Sequence, residues 1–115
     1  MGDVETGSGP GEPGTIVVTL PAEIDYSNGQ QVQEQLLAAF QPGVRRVVID
    51  MMSVTFCDSA GLARIAIAQR IAVARGAELR VAIPGGIVTK IFEITGLDTL
   101  VALYPSLDAA LAPGT

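Results

Sequence analysis

An aspartate and a serine stand together where an apolar segment gives way to a helical pattern. Asp58 and Ser59 follow Cys57 and precede the pattern of residues 61–75. The first backbone N–H groups of a helix lack intrahelical acceptors, and the helix dipole places about half a positive charge there. A phosphate on Ser59 would meet those N–H groups while bringing about −1.5 to −2 charges to the surface. The pair therefore predicts a serine that can be phosphorylated, although Asp and Ser are also the commonest residues that cap helices.

Other reactive side chains near this pair favour structural roles. The chain contains no histidine, which excludes Ser–His and Cys–His catalytic pairs and histidine-ligated metals. Cys57 is the single cysteine and has no histidine or lysine close in sequence to activate it, so a buried structural thiol is the favoured interpretation. Ser53 and Thr55 are either further phosphorylation sites or, preferably, loop hydroxyls that bind backbone groups. We expect no catalytic, cofactor or metal site.

The composition predicts one domain that binds neither nucleic acid nor membrane. The chain has 115 residues, of which 49% are hydrophobic, enough for a single core. No apolar run reaches the roughly 18–20 residues that a membrane span requires. The net charge is −5, and the seven basic residues do not form the cluster that nucleic-acid binding requires. A single cysteine fits a reducing compartment, so we expect a cytoplasmic location.

Strand and helix signals alternate along the chain after an N-terminal segment rich in glycine and proline. Residues 1–14 hold five glycines and two prolines, so we predict a disordered segment there and a domain over residues 15–112. Continuous apolar or β-branched stretches predict strands at Thr15–Leu20, Arg45–Met51, Glu78–Ile83 and Leu100–Leu103. Amphipathic patterns predict helices after Ser27 or Asn28, at Gly61–Arg75 ending at Gly76, at residues 87–95 ending at Gly96, and at Ser106–Leu111. This alternation predicts an α/β layer with mainly parallel strands.

The helix predicted over residues 61–75 has two arcs that carry apolar residues. One arc, which we assign to the core, holds Leu62, Ile65, Ala66 and Val73. The other arc holds Arg64, Ile67, Ala68, Ile71 and Arg75. Ile67 and Ile71 among arginines are consistent with either a docking surface or burial between neighbouring elements, and the sequence does not separate the two.

Three sequence blocks stand out, namely LPAEID at Leu20–Asp25, VVIDMMSVTFCDSAGL at Val47–Leu62 and IFEITGLDTL at Ile91–Leu100. They resemble the STAS domain of the anti-sigma-factor antagonists. The resemblance implies a single STAS (SpoIIAA-like) α/β domain, with a mixed, mostly parallel sheet of about four strands and about four helices. Two departures stand out: Ala22 occupies a position where glycine is usual, and the N-terminal strand of the family is shortened or lost.

The resemblance also implies a regulatory cycle without catalysis by this chain. Unphosphorylated antagonists capture an anti-sigma factor and so free a sigma factor. That partner is itself a serine kinase, which binds the ATP and phosphorylates the position of Ser59, and a phosphatase reverses the modification. We expect a monomer or weak dimer.

The resemblance places further residues around the modified serine. Asp25 matches an acidic residue that lies near the phosphorylation site, and Asp58 would help to orient the hydroxyl. The expected partner-binding surface consists of Asp25, Asp58, Ser59, Ala60, Gly61, Leu62 and Arg64, with Gly61 permitting close approach. Two alternatives remain: a STAS scaffold that is never phosphorylated, and an enzyme that uses Cys57 or the carboxylates.

Overall fold

The architecture is a mixed α/β sandwich of one main sheet, one small sheet and four helices. The computed structural model describes the backbone of residues 4–8 and all atoms of residues 13–114. In chain order the elements are β1 (Val4–Ser8), β2 (Thr15–Thr19), β3 (Glu23–Ile24), α1 (Gly29–Ala38), β4 (Arg46–Asp50), β5 (Phe56–Cys57), α2 (Ser59–Arg75), β6 (Glu78–Ala82), α3 (Ile87–Thr95), a 3₁₀ turn (Leu97–Thr99), β7 (Ala102–Tyr104) and α4 (Leu107–Leu111).

The main sheet has the strand order β1-β2-β4-β6-β7. Strands β2, β4, β6 and β7 are parallel, and β1 pairs antiparallel with β2 at one edge. Because successive parallel strands are joined through α1, α2 and α3, these helices cover one face, with α2 in the middle. Helix α4 covers the other face. The predicted parallel α/β layer is confirmed.

The central strand β4 explains why its sequence is continuously apolar. Val47 and Ile49 point into the core beneath the three helices, whereas Val48 points toward α4. All three side chains are fully buried, as expected for a parallel strand covered on both faces. The glycines that end α2 and α3 also behave as predicted, since Gly76 and Gly96 have φ angles of 69° and 79°.

Two buried arginines hold the end of the chain against the sheet. Arg80, which is 1% exposed, donates to the carbonyl oxygens of Ala110 and Ala112 at 3.1 and 2.9 Å. Glu78 accepts from Arg80 Nε at 2.8 Å and from Arg46 Nε at 3.0 Å. Burial raises the pKa of Glu78, but the hydrogen bonds and positive charges of the two arginines outweigh it and lower that pKa overall. Glu78 is therefore the counter-ion of two arginines, Arg46 on β4 and Arg80 on the adjacent strand β6.

The N-terminal segment differs from the sequence prediction. Val4–Ser8 form the edge strand β1, with an irregular register against β2, so the disorder predicted over residues 1–14 is wrong for these five residues. The N-terminal strand, expected to be shortened or lost, is therefore present. An edge strand takes its hydrogen bonds from its neighbour, and this pairing does not require an apolar run. Pro13 and Gly14 form a turn. Residues 1–3 and 9–12 lie outside the described part.

The core side of α2 also requires correction. The buried residues are Gly61, Leu62, Ile65, Ala68 and Ala72. The sequence pattern places Ala68 on the arc that holds Arg64. Alanine is small and only weakly apolar, so an apolar pattern does not reveal that a stripe of such residues is buried. Val73 was assigned to the core but is 69% exposed, because it lies in the last turn, where its neighbours are exposed as well. Ile67 and Ile71 are half-buried, and Ile71 packs against the core, which favours burial over docking.

Candidate functional site

A two-stranded sheet that was not predicted places the two aspartates side by side. Strands β3 and β5 are parallel and pair Glu23 with Phe56 and Ile24 with Cys57. Ile24 and Cys57 face the core, and Glu23 and Phe56 face solvent. Asp25 and Asp58 are the next residues of the two strands, which in a sheet lie about 4.8 Å apart. The Asp58 N–H donates to the Ile24 carbonyl at 3.1 Å, so the ladder continues up to the start of α2.

The start of α2 is capped by Asp58, which leaves Ser59 available. Asp58 has an extended backbone, and its Oδ1 accepts from the Gly61 N–H at 2.9 Å. This bond satisfies one of the N–H groups that the first turn leaves without an intrahelical acceptor. Ser59 is the first residue of the helix and is exposed. The cap and the candidate phosphorylation site are therefore different residues, and Ser59 is an exposed residue.

Gly61 contributes to the site from inside the molecule. A Cβ at Gly61 would lie 2.7 Å from Cys57 Sγ and 2.8 Å from Ile24 Cγ2, closer than side chains approach one another. Glycine is thus what allows α2 to begin directly against the small sheet. Gly61 and Leu62 are both buried, which corrects their expected place on a partner-binding surface. They hold the helix in position and do not offer side chains to a partner.

Asp25 is fixed by a hydrogen-bonded turn between β3 and α1. Its Oδ1 accepts from Ser27 Oγ at 2.5 Å and from the Ser27 N–H at 2.9 Å. These hydrogen bonds, the side-chain bond first, lower the pKa of Asp25. Asn28 stands at the N-cap position of α1 but forms no capping bond, because its Oδ1 accepts from the Asp25 N–H at 3.0 Å. Its Nδ2 donates to the Glu23 carbonyl at 2.7 Å. Asp25 is therefore a charged, oriented carboxylate.

Three carboxylates lie in or next to the small sheet. Glu23 is in β3, and Asp25 and Asp58 directly follow β3 and β5. Arg64 lies about 140° around α2 from Ser59, at 100° per residue, and is half-buried against α1. Its Nη1 donates to Gln33 Oε1 and its Nε is buried. The expected role of Arg64 in binding a partner thus becomes a contact between helices, and a phosphate on Ser59 would meet carboxylates and the N–H groups of α2.

Two exposed aromatic residues that the sequence analysis did not select lie in or next to the small sheet. Tyr26, next to Asp25, is 88% exposed, and Phe56, on β5, is 51% exposed. Aromatic side chains with this exposure are typical energetic centres of protein interfaces. From the sequence alone, an aromatic residue next to apolar residues is usually interpreted as part of the core. The exposure of Phe56 could still have been predicted, because adjacent residues of a strand point to opposite sides and a buried Cys57 therefore turns Phe56 outward.

The remaining reactive groups near the site have structural roles. Cys57 is 3% exposed, and burial, together with the charge of Asp58, raises its pKa from 9.0 to about 11. This agrees with a structural thiol and argues against a nucleophile. Thr55 Oγ1 donates to the Ala22 carbonyl at 3.2 Å, as expected for a loop hydroxyl, whereas Ser53 is exposed.

Within residues 4–8 and 13–114, no cluster of candidate metal ligands occurs. No helix of this part of the chain has the length and hydrophobicity to traverse a bilayer.

Comparison with known proteins agrees with the fold. The family model of the STAS domain matches residues 10–110, and the chain belongs to this family. A Bordetella bronchiseptica protein named as an anti-sigma factor antagonist is 29% identical over 100 residues, which cover 86% of this chain and 85% of the relative.

Solved structures have the same architecture. The crystal structure of an anti-sigma factor antagonist from Mycobacterium paratuberculosis superimposes with a TM-score of 0.81 at 27% identity, covering 94% of this chain and 89% of that one. Unphosphorylated SpoIIAA gives a TM-score of 0.68 at 24% identity, covering 83% and 84%. The phosphorylated form of Bacillus SpoIIAA gives 0.67 at 21% identity, covering 92% and 93%. The predicted SpoIIAA-like STAS fold is confirmed.

Proposed function

We propose that this chain is a cytoplasmic anti-sigma-factor antagonist that is regulated by phosphorylation of Ser59 and catalyses no reaction. The observation that supports this most directly is the exposed Ser59 hydroxyl, placed at the first residue of α2 while Asp58 makes the capping bond. The names of the relatives with 27–29% identity point to the same role.

In the proposed cycle the unphosphorylated chain binds a partner that is both an anti-sigma factor and a serine kinase. Binding would withdraw this partner from a sigma factor. The Ser59 oxygen would attack the γ-phosphorus of ATP held by the partner, the bond to the ADP leaving group would break, and the hydroxyl proton would pass to a base of the kinase. Asp58 is hydrogen-bonded to the Gly61 N–H and would orient Ser59 without acting as that base. A phosphatase would hydrolyse the phosphoserine.

Phosphorylation would weaken binding through surface charge and bulk. A dianion on Ser59 would stand beside the carboxylates of Asp25 and Asp58 and could be held by N–H groups of the first turn of α2. The helix would keep its position, and the contact surface would change. Loss of about 2–3 kcal/mol of association energy would reduce affinity roughly 30- to 150-fold, enough to release the partner.

The surface that we propose for the partner is revised by the structure. It retains Asp25, Asp58, Ser59 and the half-buried Ala60 and gains the exposed aromatic residues Tyr26 and Phe56. Gly61, Leu62 and Arg64 would support this surface from beneath. Aromatic anchors beside a modifiable serine would concentrate the binding energy where a phosphate can disrupt it.

The test is phosphorylation by a candidate kinase/anti-sigma factor with ATP, followed by mapping of the phosphate. Ser59→Ala should abolish incorporation and retain partner capture. Ser53→Ala is the matched control, because Ser53 is an exposed hydroxyl in the preceding loop. Phosphate that persists in Ser59→Ala would contradict the proposed site. Capture without any phosphorylation would instead indicate a STAS scaffold.

A further inference from the structure

Helix α3 has an apolar stripe that its own domain leaves exposed. Ile87 and Ile94 are 77% and 83% exposed, and the half-buried Ile91 lies between them. The spacing i, i+4, i+7 places all three on one side of the helix. A side roughly 110° further around the helix, at 100° per residue, supplies the core contacts, because Val88 and Phe92 are buried. Ile91 packs against the core, so packing within the domain leaves Ile87 and Ile94 unaccounted for. Exposed apolar residues grouped on one side of a helix commonly mark interaction surfaces.

Two opposite charges run alongside this stripe. Lys90 and Glu93 are exposed, and at 100° per residue they lie on the same flank of the isoleucine stripe. The cation precedes the anion by three residues, near the middle of α3. This order matters for pairing, because reversing the direction of a second identical helix brings Lys90 of one close to Glu93 of the other.

We propose that α3 is the contact surface for a second copy of this chain, packed antiparallel about a two-fold axis that passes near residues 90 and 91. At 1.5 Å per residue, Ile87 and Ile94 lie about 10.5 Å apart along α3. Reversal about the axis sets Ile87 of one copy level with Ile94 of the other, and the same contact repeats by symmetry. Lys90 then faces Glu93 of the second copy in two equivalent ion pairs. A parallel arrangement would set Lys90 beside Lys90, which is unfavourable.

The contact is small and lies on a different helix from Ser59. One nine-residue helix from each copy buries less than the roughly 1,200 Å² of standard protein interfaces. We therefore expect a weak dimer, with a dissociation constant on the order of 0.1–1 mM. Ser59 lies on α2, on another helix, so dimerisation and phosphorylation can be measured independently. The inference does not depend on the proposed function.

Sedimentation equilibrium from micromolar to about 1 mM protein at low ionic strength tests the stripe. Wild-type protein should self-associate, and Ile94→Asp should remain monomeric. Val73→Asp is the matched control, because Val73 is a 69% exposed apolar residue on α2, and it should associate as wild type does. A wild-type chain that stays monomeric at about 1 mM, or equal effects of the two substitutions, would overturn the proposal. Circular dichroism confirms that each variant is folded.

Charge reversal tests the antiparallel arrangement. Lys90→Glu and Glu93→Lys should each weaken association by about 3- to 10-fold, because each sets like charges across the axis twice. The double variant restores both ion pairs with exchanged partners and should return to within about twofold of wild type. A double variant as weak as, or weaker than, the single variants would refute this arrangement of the helices.

Discussion

The close contact between the start of α2 and the small sheet can be tested by replacing Gly61 with alanine. The added methyl group would stand 2.7 Å from Cys57 Sγ and 2.8 Å from Ile24 Cγ2. Both neighbours are buried and belong to strands, so neither can move aside freely. The start of α2 must then shift away from the small sheet, which also displaces Ser59 relative to Asp25.

The expected size of the effect combines two opposing contributions. Overpacking a core by one methyl group costs about 1–3 kcal/mol. Alanine is a better helix former than glycine by up to about 1 kcal/mol, and less than that in the first turn. We therefore expect the free energy of unfolding to fall by about 1–2 kcal/mol. With a urea slope of about 1–3 kcal/mol per molar, the unfolding midpoint should fall by roughly 0.3–2 M.

Urea denaturation followed by circular dichroism measures this change. Gly85→Ala is the matched control, since a Cβ there meets nothing within 4 Å, and it should leave the midpoint almost unchanged. Adding Cys57→Ala to Gly61→Ala removes the sulfur but not the Ile24 methyl, so it should recover part of the loss, with a coupling of about 1 kcal/mol. A Gly61→Ala protein as stable as wild type would refute the argument from close packing.

Four further outcomes follow from the same geometry. Ser59→Asp should weaken binding of the kinase/anti-sigma factor at least about 10-fold by calorimetry, because one added charge acts like part of a phosphate. Phe56→Ala should weaken that binding by about 10-fold, whereas Val73→Ala, outside the proposed surface, should not change it. Glu78 has a lowered pKa, so its stabilisation is present above its ordinary pKa of 4.5 and disappears as the pH falls through the lower folded value; Glu78→Gln should remove this part of the acid dependence of unfolding. A rise in the pKa of Cys57 from 9.0 to about 11 should slow its alkylation at pH 8 by about 100-fold in the native state, a difference that urea should abolish.

Features determined by neighbouring residues along the chain could be predicted from the sequence. The apolar run of β4 and the glycines at 76 and 96 specify a buried strand and two helix ends, and all three are observed. Asp58 and Ser59 also mark the start of α2 through local chemistry. For these elements the residues that cause the structure are adjacent in sequence.

Features that depend on pairing between distant segments could not be predicted in this way. Strands β3 and β5 contain two residues each and exist because they pair with one another. Only this pairing brings Asp25 beside Asp58, turns Phe56 outward and sets Gly61 against Cys57. The edge strand β1 likewise depends on β2, and no residue pattern within it indicates the pairing.

The separate roles of Asp58 and Ser59 would affect how fast the proposed phosphorylation switch can operate. Asp58 makes the capping bond through its side chain, so the first turn of α2 does not need the serine hydroxyl to remain folded. In the proposed function, adding or removing a phosphate would then require no refolding step. The response time would be set by the turnover of the modifying enzymes and by dissociation of the partner, and one folded scaffold would serve both states of the signal.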